Sequence, residues 1–313
     1  MSNVAVQAEN LSYAYAERQA LTNVNFAVEA GALFGLLGPN GSGKTTLFRL
    51  LSTLIPMQTG QLWVCGLDVN AQQSEVRRQL GVTFQSPAVD VRLTVSENLQ
   101  CHGSVYGMSG RELRSRTAEM LDRFQIADRA KTIVGQLSGG LKRRVELAKG
   151  MMHSPKVLLL DEPTSGLDPR ARQEFWELLV AQVKSQGTTV ILATHLMTEA
   201  ELCDQLLLLD RGQNVAFGSP ADLQNRVSGE RLTLKVRDAA ACQSSIEQLL
   251  KCRSVVVGNQ ISLRVDNPAE HITAVLGGFR DQILGLELTR PSLEDVFLEL
   301  TGRPLIGSGA EHE

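Results

Sequence analysis

Residues 38–45 have the composition and spacing of a loop that holds phosphate groups. They read Gly-Pro-Asn-Gly-Ser-Gly-Lys-Thr, a match to the pattern G-x-x-x-x-G-K-[ST]. The glycines let the backbone fold tightly, so that successive N–H groups point inward at an anion. Lys44 is predicted to reach the β- and γ-phosphates of a nucleoside triphosphate, and the Thr45 hydroxyl to bind Mg²⁺. The predicted nucleotide contacts include the residue after the loop and are Gly38, Pro39, Asn40, Gly41, Ser42, Gly43, Lys44, Thr45 and Thr46.

A second segment places two carboxylates at the end of an apolar run. Residues 157–160, Val-Leu-Leu-Leu, lead directly into Asp161 and Glu162. A carboxylate at the end of a buried strand beside a phosphate loop can hold Mg²⁺, which we predict for Asp161. Glu162 is then placed to orient or deprotonate an attacking water as a general base. Alone, this pair is as consistent with a solvated turn as with catalysis, but the following Pro-Thr-Ser-Gly-Leu-Asp makes it far more specific.

The segments around these residues alternate between strand and helix patterns. A continuous apolar run at 32–37 precedes the phosphate loop, and a helical pattern follows it at 46–51. The runs 157–160 and 189–193 have the texture of strands buried on both faces, with a helical stretch at 169–184 between them. We therefore predict an α/β fold with a parallel sheet.

Two further regions have different patterns. Residues from about 95 to 152 are mainly helical, and Ser109 with Glu112 predicts a capping box at the start of one helix. Beyond a predicted boundary near 225–230, the order strand, helix, strand, strand, helix, strand indicates a small α+β unit, followed by a short helix at 292–300. The tail, 304–313, is predicted to be disordered.

Composition excludes several classes of protein. The 313 residues include 31 basic and 34 acidic side chains, so the net charge of −3 gives no electrostatic footprint for nucleic acid, and no nucleic-acid partner is expected. The five cysteines show no C-x-x-C spacing, which argues against a zinc or disulfide framework. No secretory signal is visible and no apolar run approaches the ~20 residues of a membrane helix, so we expect a cytoplasmic protein.

Residues 137–141, Leu-Ser-Gly-Gly-Leu, open a predicted helix upstream of the acidic pair. Ser138, Gly139 and Gly140 resemble the LSGGQ signature of ABC-type ATPases, with Leu141 where Gln is usual. Two glycines at a helix N-terminus expose backbone N–H groups to an anion, and Ser138 is predicted to be the N-cap. The resemblance implies that this segment grips the γ-phosphate of an ATP molecule held by the opposing subunit.

Other positions resemble the same family in the same order. Tyr15 resembles the aromatic residue that stacks on adenine, with Tyr13 as the competing choice. Gln85 resembles the glutamine that touches Mg²⁺ and the attacking water, Asp168 the residue that crosses the dimer interface, and His195 the switch histidine that contacts the γ-phosphate. The resemblance thus implies catalytic roles for Glu162, His195, Gln85 and Lys44, and Mg²⁺ contacts for Thr45, Gln85 and Asp161.

The resemblance spans residues 3–225 and implies the P-loop NTPase core of an ABC ATPase, with an antiparallel β subdomain and a helical subdomain at about 86–152. It implies ATP and Mg²⁺ as cofactors and a head-to-tail dimer with two ATP molecules between the subunits. The second ATPase subunit is an identical copy or a related chain, the identical copy being preferred. Residues 226–303 are the small C-terminal α+β domain, for which packing or dimer support is preferred over recognition of a regulator.

The end of the chain indicates a task for the ATPase. Residues 291–302 resemble the C-terminal stretch of ATPases from drug, lipid-linked or polysaccharide exporters of the daunorubicin-resistance type, which work with a separate membrane permease. The resemblance implies an ATP-hydrolysing exporter subunit, attached through that permease to the inner face of the cytoplasmic membrane. The alternative is a soluble mechanical ATPase acting on ribosomes or DNA, but such relatives usually carry two cassettes or long coiled-coil insertions, and this chain shows neither.

Overall fold

The computed structural model describes residues 4–86, 88–227, 229–303 and 305. The chain divides into two compact units, with the boundary between Ser219 and Pro220. This boundary lies a few residues before the predicted one at 225/226, because the short helix Pro220–Gln224 belongs to the second unit. The prediction of a disordered tail concerns residues 304–313, which lie outside the described residues apart from Leu305.

The first unit contains two sheets. Its strands are β1 (Val4–Tyr15), β2 (Arg18–Glu29), β3 (Leu33–Leu37), β4 (Thr59–Val64), β5 (Leu67–Asp68), β6 (Leu80–Thr83), β7 (Val157–Asp161), β8 (Thr189–Thr194), β9 (Gln205–Asp210) and β10 (Gln213–Gly218). The order β2-β1-β4-β5 forms an antiparallel sheet, and β10-β9-β3-β8-β7-β6 forms a second sheet that is parallel except for β10. The predicted α/β fold with a parallel sheet and an antiparallel subdomain is confirmed.

The first strand is longer than its sequence pattern indicates. The apolar residues Val4-Ala5-Val6 at its start predict a strand, and β1 continues beyond them to Tyr15. Its pairing with β2 contains several register shifts, and Asn10 within it has a left-handed φ of 49°. Such bulges interrupt the period of two on which the prediction depends.

The helices of the first unit are α1 (Lys44–Leu51), α2 (Gln73–Gln79), α3 (Val95–Val105), α4 (Gly110–Arg123), α5 (Gly139–Gly150), α6 (Pro169–Gln186) and α7 (Met197–Ala200). The predicted helical region is confirmed, but the capping box at Ser109 is wrong. Ser109 is the N-cap of α4, yet its side chain accepts no capping hydrogen bond, because the left-handed Gly110 (φ 54°) follows it directly. A capping box occurs instead at α3, between Thr94 and Glu97.

One hydrophobic core joins both sheets to α1. It includes Leu11 and Val24 of the antiparallel sheet, Phe34 and Leu207 of the parallel sheet, and Phe48 of α1. The burial of apolar side chains from three layers fixes α1, and with it the end of the phosphate loop, against the strands. None of the described helices is both long enough and apolar enough to cross a bilayer.

The second unit is an α+β fold with the predicted order of elements. Its elements are α8 (Pro220–Gln224), β11 (Glu230–Val236), α9 (Ala239–Leu250), β12 (Ser254–Val257), β13 (Gln260–Val265), α10 (Pro268–Phe279), β14 (Ile283–Thr289) and α11 (Leu293–Thr301). The strands form an antiparallel sheet in the order β12-β13-β11-β14. Leu232, Leu234 and Ile261 from this sheet share a core with Ile246 of α9 and Val275 of α10.

Candidate active site

The parallel sheet places three segments that carry predicted site residues at one of its edges. The end of β3 lies beside the end of β8, where Leu37 pairs with Thr194, and Asp161 at the end of β7 pairs with Ala193. The backbone N–H of Glu162 donates to the carbonyl oxygen of Ala193 at 2.9 Å. The carboxyl ends of parallel strands are where open α/β sheets bind ligands. The phosphate loop, the acidic pair and His195 therefore converge because β3, β8 and β7 are neighbours.

The phosphate loop has no room for side chains at two of its glycines. A Cβ on Gly38 would lie 2.3 Å from the carbonyl oxygen of Leu209, which is too close for any atom. Gly43 has a φ of 110°, and a Cβ there would lie 2.7 Å from Cδ2 of Leu21. These positions need glycine for both conformation and space. The loop is thus a tightly packed structure and not an ordinary surface turn.

The lysine of the loop is enclosed by the loop itself. Lys44 Nζ donates to the carbonyl oxygens of Gly38 at 2.7 Å and Pro39 at 3.0 Å. Burial lowers the pKa of Lys44, while the nearby charges of Glu162 and Asp161 act in the opposite direction. The ammonium group is consequently held in the centre of the loop.

Helix α1 presents its N-terminus to the same space. Gly43 is its N-cap and provides no capping side chain, and the first turn contains no acidic residue. The first N–H groups of a helix have no partner within the helix and carry a partial positive charge. Together with the Lys44 ammonium, they fit the phosphate groups of a nucleotide.

Asp161 and Thr45 provide oxygen ligands beside this anion site. Asp161 is the last residue of β7, and the pKa of its carboxyl is raised by burial and by the charge of Glu162, against the opposing charges of Lys44 and Arg49. Thr45 is exposed in the first turn of α1. Carboxylate and hydroxyl oxygens suit Mg²⁺, which usually takes few protein ligands and completes its shell with phosphate oxygens and water. Among the described residues, no group of three or more His, Cys, Asp or Glu side chains is placed to hold a metal ion.

Glu162 is bound at both carboxylate oxygens. His195 Nδ1 lies 2.9 Å from Oε1, and Gln85 Nε2 donates to Oε2 at 3.1 Å. The backbone of Glu162 has a left-handed φ of 44°, a conformation that costs about 1–3 kcal/mol for a residue other than glycine. The fold therefore holds Glu162 in a strained conformation that aims its carboxylate at two of the other predicted catalytic residues.

A cleft of about 290 Å³ lies over the loop, and seven of the fourteen predicted nucleotide contacts line it. Tyr15 lines it and is 38% exposed, whereas Tyr13 is 8% exposed and does not line it, which favours Tyr15 for contact with a base. Gly38 and Ser42 belong to the loop but are buried, and they do not line the cleft. The lining residues are Tyr15, Arg18, Gln19, Ala20, Asn40, Gly41, Gly43, Lys44, Thr45, Thr46 and Glu162.

The signature segment and Asp168 are not among the residues that line this cleft. Ser138 is the N-cap of α5, where its hydroxyl accepts from the N–H of Leu141 at 3.4 Å, so its predicted capping role is confirmed. A Cβ on Gly140 would lie 3.0 Å from that of Ala171 on α6. Asp168 Oδ1 accepts from the N–H of Ala171 at 3.0 Å. The signature and Asp168 thus lie together beside Ala171 of α6, outside the lining of this cleft.

Arg143 is a site residue that the sequence analysis missed. From α5 it donates to the carbonyl oxygens of Phe84, at 2.9 Å, and Gln85. It also forms a buried ion pair with Glu146 at 2.7 Å, and the other Glu146 oxygen accepts from the N–H of Ala88 at 2.6 Å. The spacing of Arg143 and Glu146 on one helix face was visible, but nothing in it pointed to Gln85, which is 58 residues away. The pair ties the segment that carries Gln85 to the signature helix.

Comparison with known proteins decides the family. The model for the ABC transporter family matches residues 21–165, and a second model, described as AAA domain, putative AbiEii toxin, matches residues 135–200. The chain is 40% identical over 311 residues to the daunorubicin resistance ATP-binding protein DrrA2 of Streptomyces coeruleorubidus, with 96% of each chain covered. The chain belongs to the ABC transporter family. A Nod factor export ATP-binding protein I from Burkholderia orbicola is 37% identical over 309 residues, covering 97% of this chain and 99% of that one.

Solved ABC structures show the same fold. The cbiO1 protein of Clostridium perfringens, part of the transporter complex cbiONQ, has a TM-score of 0.67 at 30% identity, covering 71% of this chain and 91% of that one. A dimeric ATP-binding cassette bound to ADP and phosphate in a post-hydrolysis state has a TM-score of 0.61 at 28% identity, covering 68% and 98%. The ABC assignment makes this chain a nucleotide-binding subunit.

Proposed function

We propose that this ABC subunit hydrolyses ATP to drive export through a separate transmembrane permease. The observation that carries hydrolysis is the carboxylate of Glu162, bound by both His195 and Gln85 beside the phosphate loop. Export is supported by the names of the relatives, which describe resistance to daunorubicin and export of Nod factor. Nothing in the described chain favours the alternative of an ATPase acting on ribosomes or DNA.

In the proposed complex the nucleotide occupies the cleft over the phosphate loop. The ring of Tyr15 stacks on adenine, and residues 38–46 surround the phosphates. Lys44 exchanges its two carbonyl contacts for phosphate oxygens. Thr45, Asp161 and Gln85 would hold Mg²⁺, which when bound would neutralise negative charge on the phosphates.

Glu162 acts as the general base. Its carboxylate accepts a proton from the attacking water, while Gln85 and His195 fix its two oxygens. His195 Nδ1 must carry a proton to donate to an ionised carboxylate. While it does so, Nε2 can donate to a phosphate oxygen only if the imidazole is protonated. A contact between His195 and the γ-phosphate is therefore coupled to the contact between His195 and Glu162.

A second subunit completes each site in this proposal. Ser138, Gly139, Gly140 and Asp168 do not line the cleft over their own phosphate loop, which supports a head-to-tail dimer. The dimeric relative bound to ADP and phosphate supports this arrangement. We prefer a homodimer, because Glu162 and His195 are both of the residue type that hydrolysis needs. Attachment to the inner face of the cytoplasmic membrane follows from binding to the permease, and no nucleic-acid partner is proposed.

Substitution of the general base tests the proposal. Glu162→Gln is expected to bind Mg·ATP normally but to lower kcat about 10²–10⁴-fold, because the amide cannot accept the proton. Since the γ-phosphate then persists, the variant should elute as a dimer in size-exclusion chromatography with ATP and as a monomer without it. Glu75→Gln on an exposed face of α2 is the matched control. Wild-type turnover by Glu162→Gln would show that the water is activated elsewhere.

A further inference from the structure

A buried carboxylate joins two segments of the candidate active site. Glu199, on α7, accepts a hydrogen bond from the Thr164 hydroxyl at Oε1 and another from the Thr194 hydroxyl at Oε2. Thr164 is 0% exposed, and Thr194 and Glu199 are each 1% exposed. The two threonines are far apart in sequence, so only the fold brings them to one carboxylate.

Each threonine belongs to a segment that carries a proposed functional residue. Thr164 lies two positions after Glu162, in a turn closed by hydrogen bonds from Ser165 N to the Glu162 carbonyl and from Leu167 N to the Thr164 carbonyl, both 3.1 Å. This turn leads directly to Asp168. Thr194 ends β8 immediately before His195.

Glu199 needs both threonine hydroxyls for a physical reason. A carboxylate that is removed from water is costly unless its oxygens keep hydrogen-bond partners, so loss of either threonine hydroxyl leaves a buried acceptor unsatisfied. No salt bridge to Glu199 occurs among the described residues. The two threonine hydroxyls therefore provide the hydrogen bonds that its buried carboxylate oxygens need. The Thr194 hydroxyl also accepts from the N–H of Leu196 at 3.0 Å, which fixes the backbone on both sides of His195.

We propose that Glu199 is a positioning residue that couples the His195 segment to the segment running from Glu162 to Asp168. Displacement of His195 when the γ-phosphate is bound or lost is passed through Thr194, Glu199 and Thr164 to the turn before Asp168. The 2.9 Å contact between His195 and Glu162 joins the same two segments. This inference rests on the proposed function, because it assumes that His195 meets the γ-phosphate and that Asp168 meets the second subunit.

Threonine substitutions test the coupling without introducing a new polar group. Thr164→Val and Thr194→Val each remove one hydroxyl from Glu199, and each is expected to lower kcat about 10- to 100-fold, because the catalytic groups lose their alignment. KM for Mg·ATP should change less than about twofold, because the hydrogen bonds of the two hydroxyls go to Glu199 and Leu196 and not to the phosphate loop. Thr164→Ser and Thr194→Ser keep the hydroxyl and are expected to restore kcat. Glu199→Gln keeps one acceptor and should give an intermediate value.

Thr117→Val is the matched control. Thr117 is 3% exposed, and its hydroxyl donates to the Leu113 carbonyl at 2.7 Å within α4, so this variant also loses a buried hydroxyl. It is expected to lower thermal stability as Thr164→Val does, but to keep kcat. Equal kcat for Thr164→Val, Thr194→Val and Thr117→Val, or serine variants that fail to restore kcat, would overturn the coupling. A wild-type protein without ATP turnover would instead overturn the proposed function.

Discussion

Asp161 gives the site a predictable response to acid. Burial and the charge of Glu162 raise the pKa of this carboxyl, so it takes up a proton at a higher pH than an ordinary aspartate does. A Mg²⁺ ligand must be ionised, and Mg²⁺-dependent affinity for ATP should therefore fall as the pH is lowered through this raised pKa. Titration calorimetry between about pH 4 and 8 measures the effect.

Glu162→Gln sharpens this test, because it removes the neighbouring charge that raises the pKa of Asp161. The loss of affinity is then expected at a lower pH than in the wild type. ATP binding without Mg²⁺ serves as the control and should not share this dependence. The fall in ATP affinity at low pH could instead be the same with and without Mg²⁺ and could stay at the same pH in Glu162→Gln. That result would contradict the assignment of Asp161 as a ligand.

The site residues that could be predicted from sequence are those that lie in contiguous motifs of the chain. The phosphate loop and the acidic pair are contiguous segments, and their strand and helix neighbours fix where they lie. The role of Glu199 depends on two hydroxyls, one of them 35 residues away. Neither its type nor its spacing separates it from an ordinary helical glutamate, so only the tertiary structure reveals it.

At the scale of elements, helix α5 connects the signature to the segment that carries Gln85. Arg143 supplies this connection through two backbone carbonyls, and its ion pair with Glu146 has side-chain exposures of 5% and 3%. Removal of one partner from a buried pair leaves the other charge uncompensated, which costs about 3–5 kcal/mol. Arg143→Met should therefore destabilise the protein by about this amount and also lower kcat, measured by urea unfolding and ATP turnover.

A double variant separates the two effects. Arg143→Met combined with Glu146→Leu removes both charges, so most of the free energy of unfolding should return, while kcat stays low because Gln85 remains untethered. Arg170→Lys is the control for a surface pair, since the Arg170 side chain is 90% exposed, and it should change stability by less than about 1 kcal/mol. Full recovery of kcat in the double variant would show that Arg143 serves stability alone.

Element order was predictable where the periodicity was clean and failed where the backbone departs from it. The second unit has short, regular strands and helices, and its order follows the sequence pattern. In β1, bulges hide most of a strand, and in α4 a left-handed glycine prevents the capping box. Both deviations are backbone conformations that side-chain patterns do not encode.

At the scale of the whole molecule, the proposed task requires a membrane partner. Co-expression with its permease is expected to move the chain from the supernatant to the membrane pellet in fractionation, and a high-salt wash that breaks surface ion pairs should release part of it. The same chain expressed with an unrelated membrane protein is the control. An unchanged distribution between the fractions would count against the export proposal and would leave ATP hydrolysis to be explained by another task.

The enclosed ammonium of Lys44 has a consequence for the end of each cycle. Two carbonyl oxygens of the loop, those of Gly38 and Pro39, accept hydrogen bonds from this ammonium group. Departure of the product therefore does not leave the buried Lys44 ammonium without hydrogen-bond acceptors, because the loop carbonyl oxygens provide them. Binding of the next ATP then exchanges the carbonyl oxygens around Lys44 for phosphate oxygens, and the loop already has the shape that the phosphates need.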